Sequence, residues 1–219
     1  MMNFDLSALR LYLVTDPHLC PGDKLLDKVH AAVRGGVTCV QLRDKHASTR
    51  ERIAMAKALK PIVRDAGVKL IINDDVDAAI AADVDGVHVG QEDACVDDVR
   101  RRIGSEKILG LSCETFEQVQ HVDRDIVDYL GLGTVFPTST KADHKPVIGL
   151  SGLSQMAQAS PLPCVAIGGI KLSHVRDVMD AGCQGVAVVS AICGHHDPEY
   201  AARTFIAAIE EGGCDQKCS

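Results

Sequence analysis

The chain has 219 residues and a formal charge of −7, which suits one large domain and lacks the basic excess of a nucleic-acid binder. Its 46% hydrophobic content supports a substantial core, while 3% aromatic residues and no Trp point to small aliphatic packing. Nine cysteines without a CxxC pair, no basic-then-apolar leader and no membrane-length apolar run lead us to expect a protein of the reducing cytosol, without a disulfide framework or a membrane partner.

Short apolar runs alternate with amphipathic stretches. Leu11–Asp16 reads as a strand, and Lys24–Arg34 as a helix closed by Gly35-Gly36. Val37–Lys45 is the second strand. Ser48–Ala66 is helical, with Ser48 as N-cap, Glu51 completing a capping box and Gly67 ending it. Lys69–Asp74 is the third strand, followed by a short helix to about Ala82, and Gly86–Gly90 is the fourth. Asp97–Ile103 is helical and Ile108–Cys113 the fifth strand. Phe116, Val119 and Val122 mark a helix, Tyr129–Phe136 the sixth strand, and Pro137–Pro146 a long polar loop. A helix near Leu150–Ala159 leads to the seventh strand, Cys164–Ile170. Ser173–Ala181 is helical, Gly185–Ile192 is the eighth strand, and Pro198–Glu211 is the last helix, with a tail expected to fray from Gly212 to Ser219.

Eight such strands alternating with about eight helices imply a parallel sheet. At this length they favour an α/β fold closed as a single (β/α)₈ TIM barrel spanning residues 1–219. Strands buried on both faces read as near-continuous Val/Ile/Leu/Gly runs, as they do here.

A barrel puts its chemistry at the C-terminal ends of its strands, and the polar residues fall there. Alternate strand residues share a face, so Gln41, Arg43 and Lys45 point together from strand two. Two cations and an amide there are costly to bury unless an anion meets them. Strand three ends in Asn73-Asp74-Asp75, strand four in Gln91-Glu92-Asp93, and strand five at Ser112. Each cluster has a plainer reading. Asn73–Asp75 could cap the next helix, Asp93 could face water, Thr138–Lys141 could be a solvated turn, and Gly168-Gly169 could serve only a tight turn. His88 reads as a packed strand residue rather than a ligand, and neither His195-His196 nor the Cys214–Cys218 tail makes a metal motif.

Jointly the clusters say more. Gly168-Gly169-Ile170 and Ser190 lie at the ends of strands seven and eight, where barrels commonly build a phosphate site from backbone N–H groups. Asp74 and Asp93, on adjacent strand ends, could hold Mg²⁺, which takes one or two carboxylates plus waters and phosphate oxygens. A bound diphosphate (about −3), Mg²⁺ and two carboxylates would be brought near neutrality by Arg43, Lys45 and Lys141. A structural ion-pair network accounts for those charges too, but not for a second polar cluster of Thr138, Thr140, Gly169 and Ser190. Two anion-suited regions suggest two small phosphorylated ligands.

The motifs Gln41-Leu42-Arg43-Asp44-Lys45, Ile72-Asn73-Asp74-Asp75, His88-Val89-Gly90-Gln91-Glu92-Asp93, Gly131-Leu132-Gly133, Phe136-Pro137-Thr138-Ser139-Thr140-Lys141 and Ile167-Gly168-Gly169-Ile170 resemble thiamine phosphate synthase. They come in family order between about Leu11 and Ile209. The resemblance implies a transferase of thiamine biosynthesis. It joins hydroxymethylpyrimidine diphosphate to a thiazole phosphate and releases diphosphate, with Mg²⁺ as cofactor. Gln41, Leu42, Arg43, Asp44, Lys45 and Asn73 would then hold the pyrimidine diphosphate, Ser112 would contact the pyrimidine, and Lys141 the diphosphate. Thr138, Ser139, Thr140, Gly169, Val189 and Ser190 would hold the thiazole phosphate, and Asp74 and Asp93 the metal. Arg43, Lys45, Ser112 and Lys141 would act in catalysis, and a homo-oligomer stays open.

Family members often have Pro at the position of Thr134 and His at that of Glu114, which bears on local loop shape. The sister thiazole tautomerase shares the barrel but would not need the Gln41/Arg43/Lys45 row with Asn73, Asp74 and Asp93. A phosphosugar isomerase would want an acid/base pair facing a sugar. A ligand sensor would have no use for a complete Mg²⁺–diphosphate constellation.

Overall fold

A computed structural model of the chain describes residues 5–138 and 146–215. Eight strands close a parallel barrel in sequence order, with the last pairing back to the first. They are β1 (Leu11–Val14), β2 (Cys39–Leu42), β3 (Lys69–Asn73), β4 (Gly86–Val89), β5 (Ile108–Cys113), β6 (Tyr129–Leu132), β7 (Cys164–Ile167) and β8 (Gly185–Val188). Around them lie α1 (Gly22–Arg34), α2 (Thr49–Asp65), α3 (Val76–Ala82), α4 (Val96–Ile103), α5 (Phe116–Gln120), α6 (Gly149–Ala159), α7 (Val175–Asp180), α8 (Ser190–Cys193) and α9 (Pro198–Asp215).

The sequence signals act locally as expected. Ser48 Oγ accepts from Glu51 N while Glu51 Oε2 accepts from Ser48 N at 2.7 Å, so α2 opens on a capping box. β5 spans the expected residues end to end, whereas several other strands stop short of the apolar run. Val135 and Ile170 stay buried after β6 and β7 have ended, because the loops continue over the core. The eighth run breaks at Val188: Ser190–Cys193 turns into α8 instead of extending the strand. The last helix runs past the expected Glu211 to Asp215.

Alternation along each strand builds two cores. Outward residues such as Val40, Leu42, Leu70, Ile72, Leu109 and Leu130 pack under the helices. The inward set is smaller, formed by Leu9, Tyr12, Val14, Cys39, Ile71, Tyr129, Val165 and Ala187. Cys20, Cys39, Cys113, Cys164, Cys183 and Cys193 are buried free thiols. Among the described residues no helix is long and apolar enough to cross a membrane.

Candidate active site

Above the inner core the barrel opens at the C-terminal ends of its strands into a cavity of about 1060 Å³, solvent at its mouth included. Its wall carries Gln41, Arg43, Asn73, Ser112, Thr138, Gly169, Val189 and Ser190. Residues expected to serve two ligands therefore meet in one space.

β2 delivers its side chains by alternation. Gln41 is buried and Arg43 half-buried, both facing the cavity. Arg43 N–H donates to Thr15 Oγ1 at 2.9 Å, fixing the strand end to the β1 loop. Lys45 is exposed, beside Asp44, Asn73 and Asp74 in a groove at the rim, so it escapes the burial cost that its row suggested. Leu42 points outward into the shell core. Asp44 Oδ1 accepts from the N–H groups of His46 (2.9 Å) and Ala47 (3.1 Å), which shapes the loop. Leu42 and Asp44 do not line the cavity, while Gln41 and Arg43 reach it through their side chains.

At the end of β3 the capping and ligand-binding readings are divided between neighbours. Asp75 caps α3, accepting from Ala78 N at 2.9 Å, and pairs with Arg52 Nη1 at 2.8 Å. Arg52 Nε also donates to Asp44 O at 3.0 Å, bracing the two loops together. Asp74 sits at φ 62°, a left-handed backbone that non-glycine residues seldom adopt. Burial, then the facing carboxyl of Asp93, pushes Asp74 up to about 6, against the opposing pull of Lys45 and Arg43. Asp93 itself is exposed and held by Gly90 N–H at 2.7 Å. Two converging carboxylates beside cations are a hard-oxygen donor pair of the type Mg²⁺ takes when waters and phosphate oxygens complete its shell. Among the described residues no group of three or more His, Cys, Asp or Glu forms a metal site, so protein ligands alone make no closed cage.

Across the cavity Gly168 (φ 104°) and Gly169 (φ 63°) form a left-handed turn after β7. A Cβ on Gly169 would lie 2.5 Å from Pro137 O, so only glycine lets this turn pack on the β6 loop. Ser190 opens α8 on the same wall, exposed to the cavity. Thr138 lies at the described edge of that loop. Ser139, Thr140 and Lys141 lie outside the described residues.

With this geometry in view, residues 11–192 match the family model described as thiamine monophosphate synthase. The chain belongs to that family. The thiamine monophosphate synthase family is enzymatic, its members being transferases. The chain is 50% identical over 208 residues to the thiamine-phosphate synthase of Psychrobacter sp., covering 94% of this chain and 97% of the relative. It is 49% identical to the Roseiflexus castenholzii thiamine-phosphate synthase, over 89% of this chain and 86% of that one. A solved structure, the thiamine phosphate pyrophosphorylase of Pyrococcus furiosus, superposes with a TM-score of 0.86 at 36% identity, covering 94% of this chain and 98% of that one.

Some lining residues escaped the sequence reading of this thiamine monophosphate synthase family member. Tyr12 and His88 also face the cavity, as do Glu114 and Thr134. His88 is packed, as expected, yet both its ring nitrogens are engaged: Nδ1 lies 2.8 Å from Tyr129 Oη and Nε2 2.9 Å from Ser112 Oγ. The available signal was its inward strand position, one strand away from Ser112.

Proposed function

We propose that this chain is a thiamine-phosphate synthase. It couples 4-amino-2-methyl-5-hydroxymethylpyrimidine diphosphate with 4-methyl-5-hydroxyethylthiazole phosphate, giving thiamine phosphate and diphosphate. One observation carries the reading: a single cavity joins the Gln41/Arg43/Asn73/Ser112 wall to the Gly169/Val189/Ser190 wall, and Asn73 also lines the groove that holds Asp74, which faces Asp93.

Gln41 and Ser112 hold the pyrimidine, while Arg43, Lys45 and Asn73 hold its diphosphate. Lys141, outside the described residues, is assigned to the diphosphate by the family resemblance. Asp74 and Asp93 would hold Mg²⁺, which when bound supplies positive charge to the leaving diphosphate. Departure of diphosphate leaves a pyrimidine-stabilised carbocation, and the thiazole nitrogen captures it with its own lone pair. Arg43 and Lys45 face the charge that grows on the leaving group, so their attraction strengthens as the bond breaks. The Gly168-Gly169 turn, Thr138, Val189 and Ser190 hold the thiazole phosphate so that its nitrogen faces the reacting carbon. No general base is required, because the thiazole nitrogen already carries its lone pair. The buried free thiols fit a cytosolic setting.

The test is direct. The purified chain, given both substrates and Mg²⁺, should form thiamine phosphate, and product no higher than in a protein-free control would overturn the assignment.

A further inference from the structure

The floor of the cavity carries a row of hydrogen bonds that the chemistry above does not use. Gln41 Nε2 donates to Tyr12 Oη at 2.9 Å, Tyr12 Oη lies 2.8 Å from Tyr129 Oη, and the row continues through His88 to Ser112 Oγ. Tyr12 and Tyr129 are each 1% exposed, so water does not compete for these contacts. The residues come from β1, β2, β4, β5 and β6, so the row crosses the barrel.

We propose that Tyr12, Tyr129 and His88 are positioning residues that set which donors and acceptors Gln41 and Ser112 present to the pyrimidine. This rests on the assignment of the pyrimidine to Gln41 and Ser112. Each hydroxyl has one proton, so the row has a direction. Tyr12 Oη accepts a hydrogen bond from Gln41 N–H and donates its own O–H to Tyr129 Oη. Tyr129 then donates to His88 Nδ1, neutral His88 carries its proton on Nε2, and Nε2–H donates to Ser112 Oγ. The Ser112 proton is left for the cavity, and so is the Gln41 Oε1 acceptor. An aminopyrimidine offers the matching pair, an exocyclic amine that donates and a ring nitrogen that accepts. The corresponding oxo-pyrimidine, with ring N–H and carbonyl, offers the opposite pair and would require Gln41 to flip and every bond in the row to reverse.

A second observation shows that the row is built for. A Cβ at Gly110 would lie 2.4 Å from both His88 Nδ1 and Tyr129 Oη, and one at Gly131 would lie 3.1 Å from His88 Cε1. β5 and β6 keep bare backbone where the histidine meets the tyrosine.

The first experiment needs no substrate. Long-range ¹H–¹⁵N NMR of the full chain labelled with ¹⁵N-histidine, at pH 8, should show His88 as the Nε2–H tautomer, with His88→Gln identifying its signals. An Nδ1–H tautomer overturns the proposed direction. The second compares binding of the amino- and oxo-pyrimidine diphosphates. In Tyr12→Phe and Tyr129→Phe the preference for the amino form should fall about tenfold, while the KM for the thiazole phosphate stays within about twofold of wild type. Equal weakening of both pyrimidines, or a matching rise in the thiazole KM, would mean these tyrosines only support the fold. If either variant fails to fold, the wild-type tautomer still decides the direction. A wild-type chain that makes no thiamine phosphate would sink the activity without moving the tautomer, so the two failures are distinguishable.

Discussion

The two faces of the same eight strands make different materials. The outward face is aliphatic and dry: Val40, Leu70, Ile72, Leu109 and Leu130 are 0% exposed, with no polar side chain to satisfy. The inward face holds Tyr12, Gln41, Tyr129 and His88, joined by hydrogen bonds and spaced by glycines. Stability therefore resides mainly between strands and helices, and the hydrogen-bonded polar groups lie inside the ring. A substitution on one face should leave the property of the other largely intact.

The largest test of that division is Leu130→Ala in the outer layer. It should cost about 2–5 kcal/mol of stability by denaturant unfolding. Both KM values should stay near wild type, and a large KM change would break the comparison. Asp74→Asn should do the reverse. Asparagine tolerates the left-handed backbone and removes one of two facing carboxylates, so the free protein should gain about 1 kcal/mol in stability. Mg²⁺-dependent turnover should fall about 10²–10³-fold; a Mg²⁺ titration like that of wild type would remove Asp74 from the metal site. Ser190→Ala should raise the KM of the thiazole phosphate about tenfold and that of the pyrimidine diphosphate far less. Equal shifts would show that the cavity is not divided as assigned. Ser48→Ala, on neither strand face, should cost about 1 kcal/mol through the lost cap and leave turnover unchanged.

The smallest effect concerns pH. Lys107 and Lys60 hold the exposed Asp83 carboxyl down at about 2. Because the folded value lies below the unfolded one, near 3.8, the stabilisation is complete above about pH 4 and disappears as pH falls through about 2. Acid unfolding curves of wild type and Asp83→Asn should therefore converge toward pH 2.

The outer layer was legible in the sequence because hydrophobic runs report burial directly, and β5 matched residue for residue. Strand ends were less so. Hydrophobicity at Val135 and Ile170 continues past the last ladder bond, and a run such as Gly185–Ile192 does not show where strand becomes helix. Inside the ring, alternation alone oriented Gln41 and Arg43. The Tyr12–Tyr129 contact was invisible, since 117 residues separate its partners and each reads as an ordinary strand aromatic. Asp74 and Asp75 show the same limit at short range, since only backbone conformation decides which carboxylate caps α3 and which turns to Asp93.

Closure of the ring between β1 and β8 bears on how the chain reaches its native state. Leu13 pairs with Val188, so the first strand waits for the last. Other bonds join the same ends: Arg10 to Glu210 at 2.9 Å, Arg34 to Glu199 at 2.8 Å, and Lys28 Nζ to the carbonyl of Cys193. During synthesis the nascent chain exposes an open sheet edge until nearly all of it has emerged. Its closing contacts are of the longest range and form slowly. Deletion of α9 should then leave that edge unlatched, and such a fragment would aggregate where the full chain closes.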